Sequence, residues 1–320
     1  MTTWYAFNGD ADGLCALQQL RLADGQAATL VTGVKRDIEL LRRVSAATGD
    51  RVTVLDVSFD VNRNALQPLL DAGVSVRWFD HHHAGALPVH RGFEPHIDTA
   101  TDVCTSLLVD RALGGRHRLW AITAAYGDGL KDVADRLCRS EGLPTEQAAT
   151  LEQLGTLLNY NAYGDALADL HFDPALLAGQ MLPFTDPFEF VRGSPTFARL
   201  AGGYEADMAR ARELPAMCSS PSATVVVLPD EAWARRAIGS LANELMRERP
   251  DSGIAILSPK PAGGYTVSVR APADGRSAAD ALCRQFPTGG GRRGAGGIND
   301  LPGSDVESFV ARFEEHFACG

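Results

Sequence analysis

Short strand-like runs alternate with helical runs over about the first 135 residues, and this alternation restricts the fold more than any other feature of the chain. Clusters of β-branched and aromatic residues predict strands at 4–7, 28–34, 52–57 and 74–79. Apolar residues at helical spacing predict helices at 13–23, 38–48, 62–72, 103–113 and 119–126. Strands joined by helical crossovers are parallel. We therefore predict an α/β fold whose N-terminal part is a doubly wound parallel sheet.

The rest of the chain predicts a helical connector followed by a smaller α/β domain. The connector has helices at 145–158 and 197–214 with a proline-containing loop at 183–187 between them, and 215–222 is a candidate linker. The last part has strands at 223–228, 253–257 and 265–270 and helices at 234–249, 277–286 and 305–317. We place the domains at 1–143, 144–221 and 222–320, and we expect a ligand-binding cleft between the first and the last.

Composition excludes several classes of partner. The net charge is −10 and the pI is about 5.3, so we expect no binding to long duplex DNA, and a polyanionic substrate must meet a local positive site or metal ions. Six cysteines without a CxxC pair predict reduced thiols and a cytoplasmic protein. The N-terminus lacks a signal-peptide pattern, and no apolar run approaches the ~18 residues of a membrane span. We therefore expect no membrane partner.

Two carboxylates follow the first predicted strand, in the run Asn8-Gly9-Asp10-Ala11-Asp12-Gly13. Asp10 and Asp12 are two residues apart, so in an extended stretch they point to the same side. One aspartate is enough to cap the helix that follows, whereas this run has two together with Asn8. Taken alone, the run fits a helix cap and a metal site equally well.

Further acidic and imidazole side chains follow the next elements. Asp56 ends one predicted strand, Asp80 and His81 end the next, and Asp128 follows an apolar helix; Asp60 competes with Asp56 from deeper in its loop. Each of these residues alone is compatible with a turn or a cap. In a parallel sheet, however, residues at the carboxyl ends of the strands meet at one edge, where ligands bind in doubly wound folds.

Such a cluster predicts divalent metal ions. Four converging carboxylates repel one another, and two divalent ions about 3.5–4 Å apart with a bridging carboxylate balance their charge. Oxygen ligands with one or two imidazoles suit Mn²⁺ first and Mg²⁺ second. None of these runs contains a cysteine, which argues against a structural zinc site.

The ordered runs resemble the motifs of the DHH phosphoesterase superfamily, whose name describes the triplet Asp-His-His. A glycine-rich run near the C-terminus is similar to the signature of the associated DHHA1 substrate domain. The resemblance covers the whole chain and identifies 1–143 as the catalytic DHH domain and 222–320 as the DHHA1-like domain. The runs that carry it are Asp10-Ala11-Asp12-Gly13, Asp56, Asp80-His81-His82, Gly127-Asp128 and Gly289 to Gly297.

This resemblance implies a role for each metal-binding residue. Asp10 would hold one ion and Asp12 the other, and Asp56 would bridge them. His81 and Asp128 would complete the coordination of the second ion. Two positions depart from the family pattern: Ala6 stands where many members have histidine, and Asn8 stands where the exonuclease branch has aspartate. Asn8 would then be a neutral oxygen ligand of the first ion.

The resemblance also implies catalytic and substrate-binding residues. His82 would face the substrate phosphate and the attacking water, and Asp80 would orient a neighbouring imidazole. Arg292 stands where the family has histidine. Its permanent positive charge suits binding of a phosphate group and argues against an acid–base role. The implied substrate-binding residues are Gly289, Gly290, Gly291, Arg292 and Arg293. The other interpretation of this glycine run is a flexible loop.

Together these observations predict a Mn²⁺-dependent phosphoesterase that hydrolyses short nucleotide substrates, such as oligoribonucleotides, linear or cyclic dinucleotides, or phosphoadenosine phosphate. A phosphoanhydride hydrolase acting on pyrophosphate or polyphosphate is the first alternative, and a catalytically weak nucleotide-binding regulator is the second. Tyr160 and Tyr163 would favour a nucleotide substrate if they offered a stacking surface. More often such tyrosines belong to a turn with core contacts. A homodimer is a further expectation.

Overall fold

The computed structural model describes residues 1–272, 275 and 277–318, so Cys319 lies outside the described residues. The chain divides into two compact units, Met1–Gly202 and Gly203–Gly320. The three domain boundaries expected from the sequence stay predictions.

A five-stranded sheet organises the first unit. Its order is β2-β1-β3-β4-β5, and every neighbouring pair is parallel. This order is a common form of the doubly wound fold, which confirms the fold class expected from the alternation. The strands are β1 (Thr3–Phe7), β2 (Thr29–Val31), β3 (Arg51–Leu55), β4 (Ser75–Asp80) and β5 (Phe93–Ile97).

Nine α-helices accompany this sheet within the described residues, and the last of them continues past Gly202 into the second unit. They are α1 (Ala11–Asp24), α2 (Phe59–Asp71), α3 (Thr105–Ala112), α4 (Arg118–Gly127), α5 (Lys131–Ser140), α6 (Thr145–Ala162), α7 (Pro174–Met181), α8 (Pro187–Gly193) and α9 (Pro195–Arg212). One face of the sheet packs Val54 and Trp78 into a core with Leu66 of α2. Strand alternation turns Leu55 and Phe79 to the opposite face, where α1 and α3 contact the strands.

Two sequence expectations differ from this unit. The helix predicted at 38–48 is only the short 3₁₀ turn Leu40–Arg43. The side chain of Asn62 accepts from Leu41 N at 3.1 Å and donates to Ile38 O at 2.6 Å, so it satisfies backbone groups that a helix would have used. The second difference is β5, which the sequence did not predict because Glu94, Pro95 and His96 give it no apolar alternation.

Two glycines allow the helices around the sheet edge to approach closely. A Cβ at Gly155 of α6 would overlap the carbonyl oxygen of Thr123 in α4, and a Cβ at Gly127 would lie 2.5 Å from that of Ala11 in α1. Only a residue without a side chain fits at these two positions. The close packing brings the ends of α1, α4 and α6 to the carboxyl edge of the sheet.

The second unit is built on a six-stranded mixed sheet of order β10-β11-β9-β8-β7-β6, in which only β7 and β8 pair in parallel. Phe309 and Phe313 pack with Val225 and Leu257 in its core. The elements are β6 (Ala216–Ser219), β7 (Ala223–Val227), α10 (Ala232–Glu248), β8 (Gly253–Pro259), β9 (Tyr265–Arg270), α11 (Ala279–Cys283), β10 (Gly289–Gly291), β11 (Ala295–Leu301) and α12 (Val306–Ala318).

Two segments of this unit differ from the sequence expectations. The candidate linker 215–222 contains β6, whose backbone is satisfied by antiparallel pairing with β7. The glycine-rich run is a β-hairpin, in which Gly289 pairs with Ile298 and Gly291 with Gly296, so the alternative of a flexible loop does not describe it. Among the described residues, no helix combines the length and apolar character that crossing a bilayer requires.

Candidate metal centre

Five of the residues singled out in the sequence meet at the carboxyl edge of the first sheet. Ligand atoms of Asp12, His81 and Asp128 lie within 4.8 Å of one another. Those of Asp56, His81 and His82 form a second such group, and the two groups share His81. Asp12 lies in the first turn of α1, which follows β1, the loops after β3 and β4 supply Asp56 and the two histidines, and Asp128 directly follows α4. The parallel topology brings the residues that follow the strands to one edge.

Asp12 is held rigidly at the start of α3. Its Oδ2 accepts a hydrogen bond from Thr105 N at 2.7 Å, and its Oδ1 accepts one from Ser106 N at 2.7 Å. Both donors are backbone groups in the first turn of a helix, where N–H groups lack partners within the helix. Asp12 therefore joins α1 to α3 and keeps its carboxylate at the centre of the cluster.

Asp56 adopts a backbone conformation that L-residues seldom take, with φ of 56°. Such a conformation costs on the order of 1–3 kcal/mol and is typical of functional sites. Asp56 N donates to Phe79 O at 3.0 Å, and the carboxylate Oδ1 accepts from Thr105 Oγ1 at 3.3 Å. The fold thus stabilises a strained turn that directs this carboxylate into the cluster.

His81 is oriented as a metal ligand needs. Its Nδ1 lies 3.0 Å from Val103 O, an acceptor, so Nδ1 carries a hydrogen and Nε2 is the nitrogen that can bind a metal ion. Nε2 faces Asp56 Oδ1 at 3.5 Å and Asp128 Oδ2 at 3.8 Å. These separations are longer than hydrogen bonds, so the three groups converge on a common point without closing on one another.

Asp80 lies beneath the two histidines and is fully buried. Its Oδ1 accepts from His81 N at 2.9 Å and from His82 Nδ1 at 2.7 Å. This bond fixes the His82 ring and leaves its Nε2 for contacts outside the protein, because the side chain is 39% exposed. Asp80 Oδ2 is buried and has no hydrogen-bond partner among the described residues. A buried carboxylate oxygen without a hydrogen-bond partner indicates that the site has room for a further partner.

The cluster is electrostatically unfavourable by itself. Burial, together with the neighbouring carboxylates, raises the pKa of Asp12, Asp56 and Asp128 to about 6. Burial opposes the charged form of His81, but the surrounding aspartates outweigh it and raise the pKa of this imidazole to about 10. Hard oxygen donors and one imidazole that concentrate negative charge fit a divalent ion such as Mn²⁺ or Mg²⁺.

Asp10 has a different environment from the other aspartates. Its Oδ1 caps α1 by accepting from Asp12 N at 3.0 Å and Gly13 N at 3.2 Å, and its Oδ2 forms an ion pair with Lys35 Nζ. Burial acts against the charged carboxylate, but Lys35 outweighs it and lowers the pKa of Asp10. Lys35 Nζ also donates to Asn159 Oδ1 at 3.1 Å.

Solved structures of other proteins share this fold, although no protein-family model and no curated protein matches the sequence. The chain is similar to exonuclease RecJ bound to manganese, with a TM-score of 0.63 and 18% identity over 99% of this chain and 90% of that one. It is also similar to RecJ of Thermus thermophilus in complex with Mn²⁺, with a TM-score of 0.60 and 17% identity. That match covers all of this chain, which spans about half (52%) of the Thermus protein.

A third similar structure is PggH, a pGpG-specific phosphodiesterase from Vibrio cholerae, with a TM-score of 0.54 and 12% identity over 99% of this chain and 100% of that one. The chain has the fold of the DHH phosphoesterase superfamily. This finding confirms the resemblance in the sequence at the level of the fold.

Within this DHH fold, Asn8 uses its side chain on neighbouring backbone. Its Oδ1 accepts from Asp10 N at 3.3 Å and its Nδ2 donates to Lys35 O at 3.4 Å. Ala6 is fully buried in the core of the sheet and offers no donor atom. The role of Asn8 as a metal ligand stays a prediction.

The predicted substrate-binding residues lie in the second unit, on the β10–β11 hairpin. Arg292 is exposed, and its backbone closes the hairpin by exchanging hydrogen bonds with Ala295. The guanidinium of Arg293 donates to Gly275 O. Gly289 and Gly290 are half-buried and Gly291 is exposed. Their roles in binding stay predictions.

The two tyrosines differ in environment. Tyr160 is buried and its hydroxyl lies 2.8 Å from His171 Nε2, so it is a core residue and offers no stacking surface. Tyr163 lies beside Lys35, with its ring centroid 5.8 Å from Nζ.

Sequence reasoning missed Lys35 and Asn159. One signal was available for Lys35: it is one of only three lysines, and it follows β2 at the same edge of the sheet as the aspartates.

Proposed function

We propose that this protein is a metal-dependent phosphoesterase that hydrolyses phosphodiester or phosphomonoester bonds of short nucleotides. One observation carries the proposal: Asp12 and Asp128 place ligand atoms within 4.8 Å of one on His81, and His81 Nε2 lies 3.5 Å from Asp56 Oδ1, while Nδ1 is held by Val103 O. A buried group of three carboxylates and an imidazole has little structural value and a high electrostatic cost, and such groups mark functional sites.

The residues present fit a divalent ion, with Asp12, Asp56, His81 and Asp128 as its holders. The uncompensated charge of the carboxylates and the oxygen-rich donor set favour Mn²⁺ or Mg²⁺. An ion bound there would polarise the phosphoryl group and the attacking water. The manganese-bound RecJ structures of the same fold support this choice of metal.

His82 is the proposed contact to the substrate. Its half-exposed ring is oriented by Asp80 at 2.7 Å. Burial opposes protonation, but the hydrogen bond to Asp80 and the charge of Asp56 outweigh it and raise the pKa of His82. A protonated imidazole at this position would donate a hydrogen bond to a phosphate oxygen and stabilise the charge that develops there.

Short nucleotides are the substrate class that the remaining observations favour. PggH is a pGpG-specific phosphodiesterase and RecJ an exonuclease, so phosphodiesters of nucleotides are processed on this fold. The net charge of −10 does not suit tracking along long nucleic acid, whose binding relies on many basic contacts. We propose that Arg292 supplies the local positive charge that a phosphate group needs.

An assay of metal-free protein tests this function. Linear and cyclic dinucleotides, phosphoadenosine phosphate and tripolyphosphate would be offered at equal concentration with Mn²⁺ and with EDTA. We expect Mn²⁺-dependent release of mononucleotide from a dinucleotide. Faster hydrolysis of tripolyphosphate than of every phosphoester would instead favour a phosphoanhydride hydrolase.

A matched pair of variants ties the activity to the cluster. Asp56→Asn removes a buried carboxylate of the cluster and should abolish Mn²⁺-dependent turnover. Asp60→Asn, four residues later, removes an exposed carboxylate that pairs with Arg63 at 2.9 Å and should leave turnover unchanged. Equal activity of Asp56→Asn and wild type would contradict the proposed site.

A further inference from the structure

We infer that this site binds one divalent ion where the sequence pattern predicts two, and that the ammonium group of Lys35 supplies the second positive charge, beside Asp10. The inference rests on the proposed function and specifies its metal content. It concerns the half of the site where Ala6 and Asn8 depart from the family pattern.

Lys35 already forms an ion pair with Asp10, the carboxylate that would bind the first ion. Its Nζ forms an ion pair with Asp10 Oδ2 and donates to Asn159 Oδ1 at 3.1 Å. The other oxygen of Asp10 caps α1 through Asp12 N and Gly13 N. Asp10 therefore already has a cation on Oδ2, whereas both oxygens of Asp12 accept from neutral backbone N–H groups.

The position of Lys35 is determined by the fold around it. Its backbone N–H donates to Ala162 O at 2.9 Å, and its carbonyl accepts from Asn8 Nδ2 at 3.4 Å. Asn159 Nδ2 donates to Gly127 O at 3.0 Å, which turns Asn159 Oδ1 toward the ammonium. Gly127 precedes Asp128 in the chain and Asn8 lies two residues before Asp10, so these contacts tie the lysine to the site, and it is not a surface side chain that happens to reach it.

Asparagine at position 8 suits this arrangement, whereas aspartate at the same position would not. Its amide accepts from Asp10 N and donates to Lys35 O, and a carboxylate at position 8 has no hydrogen to give to that carbonyl. Ala6, where many family members have histidine, is buried among apolar side chains. For a first ion, the described residues thus leave the shared Asp56, the already paired Asp10 and His82, which is the proposed contact to the substrate.

The other half of the site keeps its full set of donors. Asp12, His81 and Asp128 lie within 4.8 Å of one another and Asp56 adjoins them, whereas Lys35 forms no ion pair with these residues within the described part of the chain. A divalent ion fits among these residues, and a second ion against Asp10 would meet the like charge of Lys35. An ammonium group has three N–H donors. The contacts with Asp10 and Asn159 use two of them, and the third is suited to a substrate phosphate oxygen.

Metal stoichiometry tests this inference without any assay of turnover. Metal-free protein would be titrated with Mn²⁺ by calorimetry, and electron paramagnetic resonance would distinguish isolated ions from spin-coupled pairs. We expect one ion per chain with the spectrum of an isolated ion. Two ions in wild type would overturn the inference and leave the proposed function intact, whereas no tight binding at all would remove the proposed function itself.

Three lysine variants sharpen the result. Lys35→Met keeps most of the chain length but leaves Asp10 without its cation, so the stoichiometry should rise from one ion to two. Lys35→Arg keeps the charge and should still bind one ion per chain. Lys131→Met removes an exposed ion pair with Glu152 at 2.8 Å and should also bind one ion per chain. If Lys35→Met binds only one ion per chain, and its melting curve shows that it is folded, the lysine does not replace an ion.

Discussion

Replacing Asp56 by asparagine should make the metal-free protein more stable while destroying its metal site. Asp56 is 3% exposed, and burial with the nearby charge of Asp10 raises its pKa from 3.8 to about 6. That difference corresponds to about 3 kcal/mol in favour of the neutral side chain at pH 8. Asparagine is neutral, tolerates the left-handed backbone and still accepts from Thr105.

The contact with His81 opposes this effect, and the pKa of about 6 already includes its contribution. The net stabilisation therefore stays at about 3 kcal/mol. For a unit of about 200 residues, this corresponds to a rise in Tm of about 6–12 °C. The sign follows from the direction of the shift. Because the folded-state pKa is the higher one, wild type loses stability as the pH rises from about 4 through 6.

Thermal melts in EDTA at pH 8 and pH 4 measure this effect. At pH 8 Asp56→Asn should melt above wild type, and at pH 4 the two should nearly coincide, because both side chains are then neutral. Adding Mn²⁺ at pH 8 should raise the Tm of wild type much more than that of the variant. A lower Tm of the variant in EDTA at pH 8, or a difference that persists at pH 4, would refute the electrostatic account.

Three further changes have separate consequences. Asp80→Asn removes a carboxylate that raises the pKa of His82, so the limb of the pH profile of kcat/KM that reports this imidazole should move to lower pH; an unmoved profile would argue against the contact. Gly155→Ala pushes a methyl group against the carbonyl of Thr123 and should destabilise the fold by about 1–3 kcal/mol and weaken Mn²⁺ binding, as melts and calorimetry would show. Arg292→Ala should raise KM for multiply charged substrates about tenfold with little change in kcat, in steady-state kinetics, if this arginine binds phosphate.

The central part of the site could be predicted because it depends on topology alone. Once the alternation indicates a parallel sheet, residues that follow β1, β3 and β4 must share one edge. Asp12, Asp56 and His81 therefore lie at the same edge, and the first turn of α3 then holds the Asp12 carboxylate. The assignment of His81 Nε2 as the free nitrogen required the structure, because it depends on Val103 O from a distant segment.

Tertiary contacts decided the features that the sequence could not show. Lys35 reaches Asp10 because Ala162 and Asn159 of α6 hold it, and α6 is close enough only because residue 155 is glycine. No local sequence pattern indicates that α6 lies this close. In the same way the helix predicted at 38–48 is replaced by a 3₁₀ turn, since Asn62 supplies its backbone with hydrogen bonds from another element.

The rate of dinucleotide hydrolysis as a function of bound Mn²⁺ tests the central claim most directly. Metal-free protein would be loaded stepwise, with occupancy and mononucleotide release measured on the same samples. The proposed function predicts no turnover in EDTA and a rate that rises with occupancy and saturates when the cluster of Asp12, Asp56, His81 and Asp128 is filled. Full occupancy without hydrolysis of any phosphoester would contradict it and would favour a nucleotide-binding regulator.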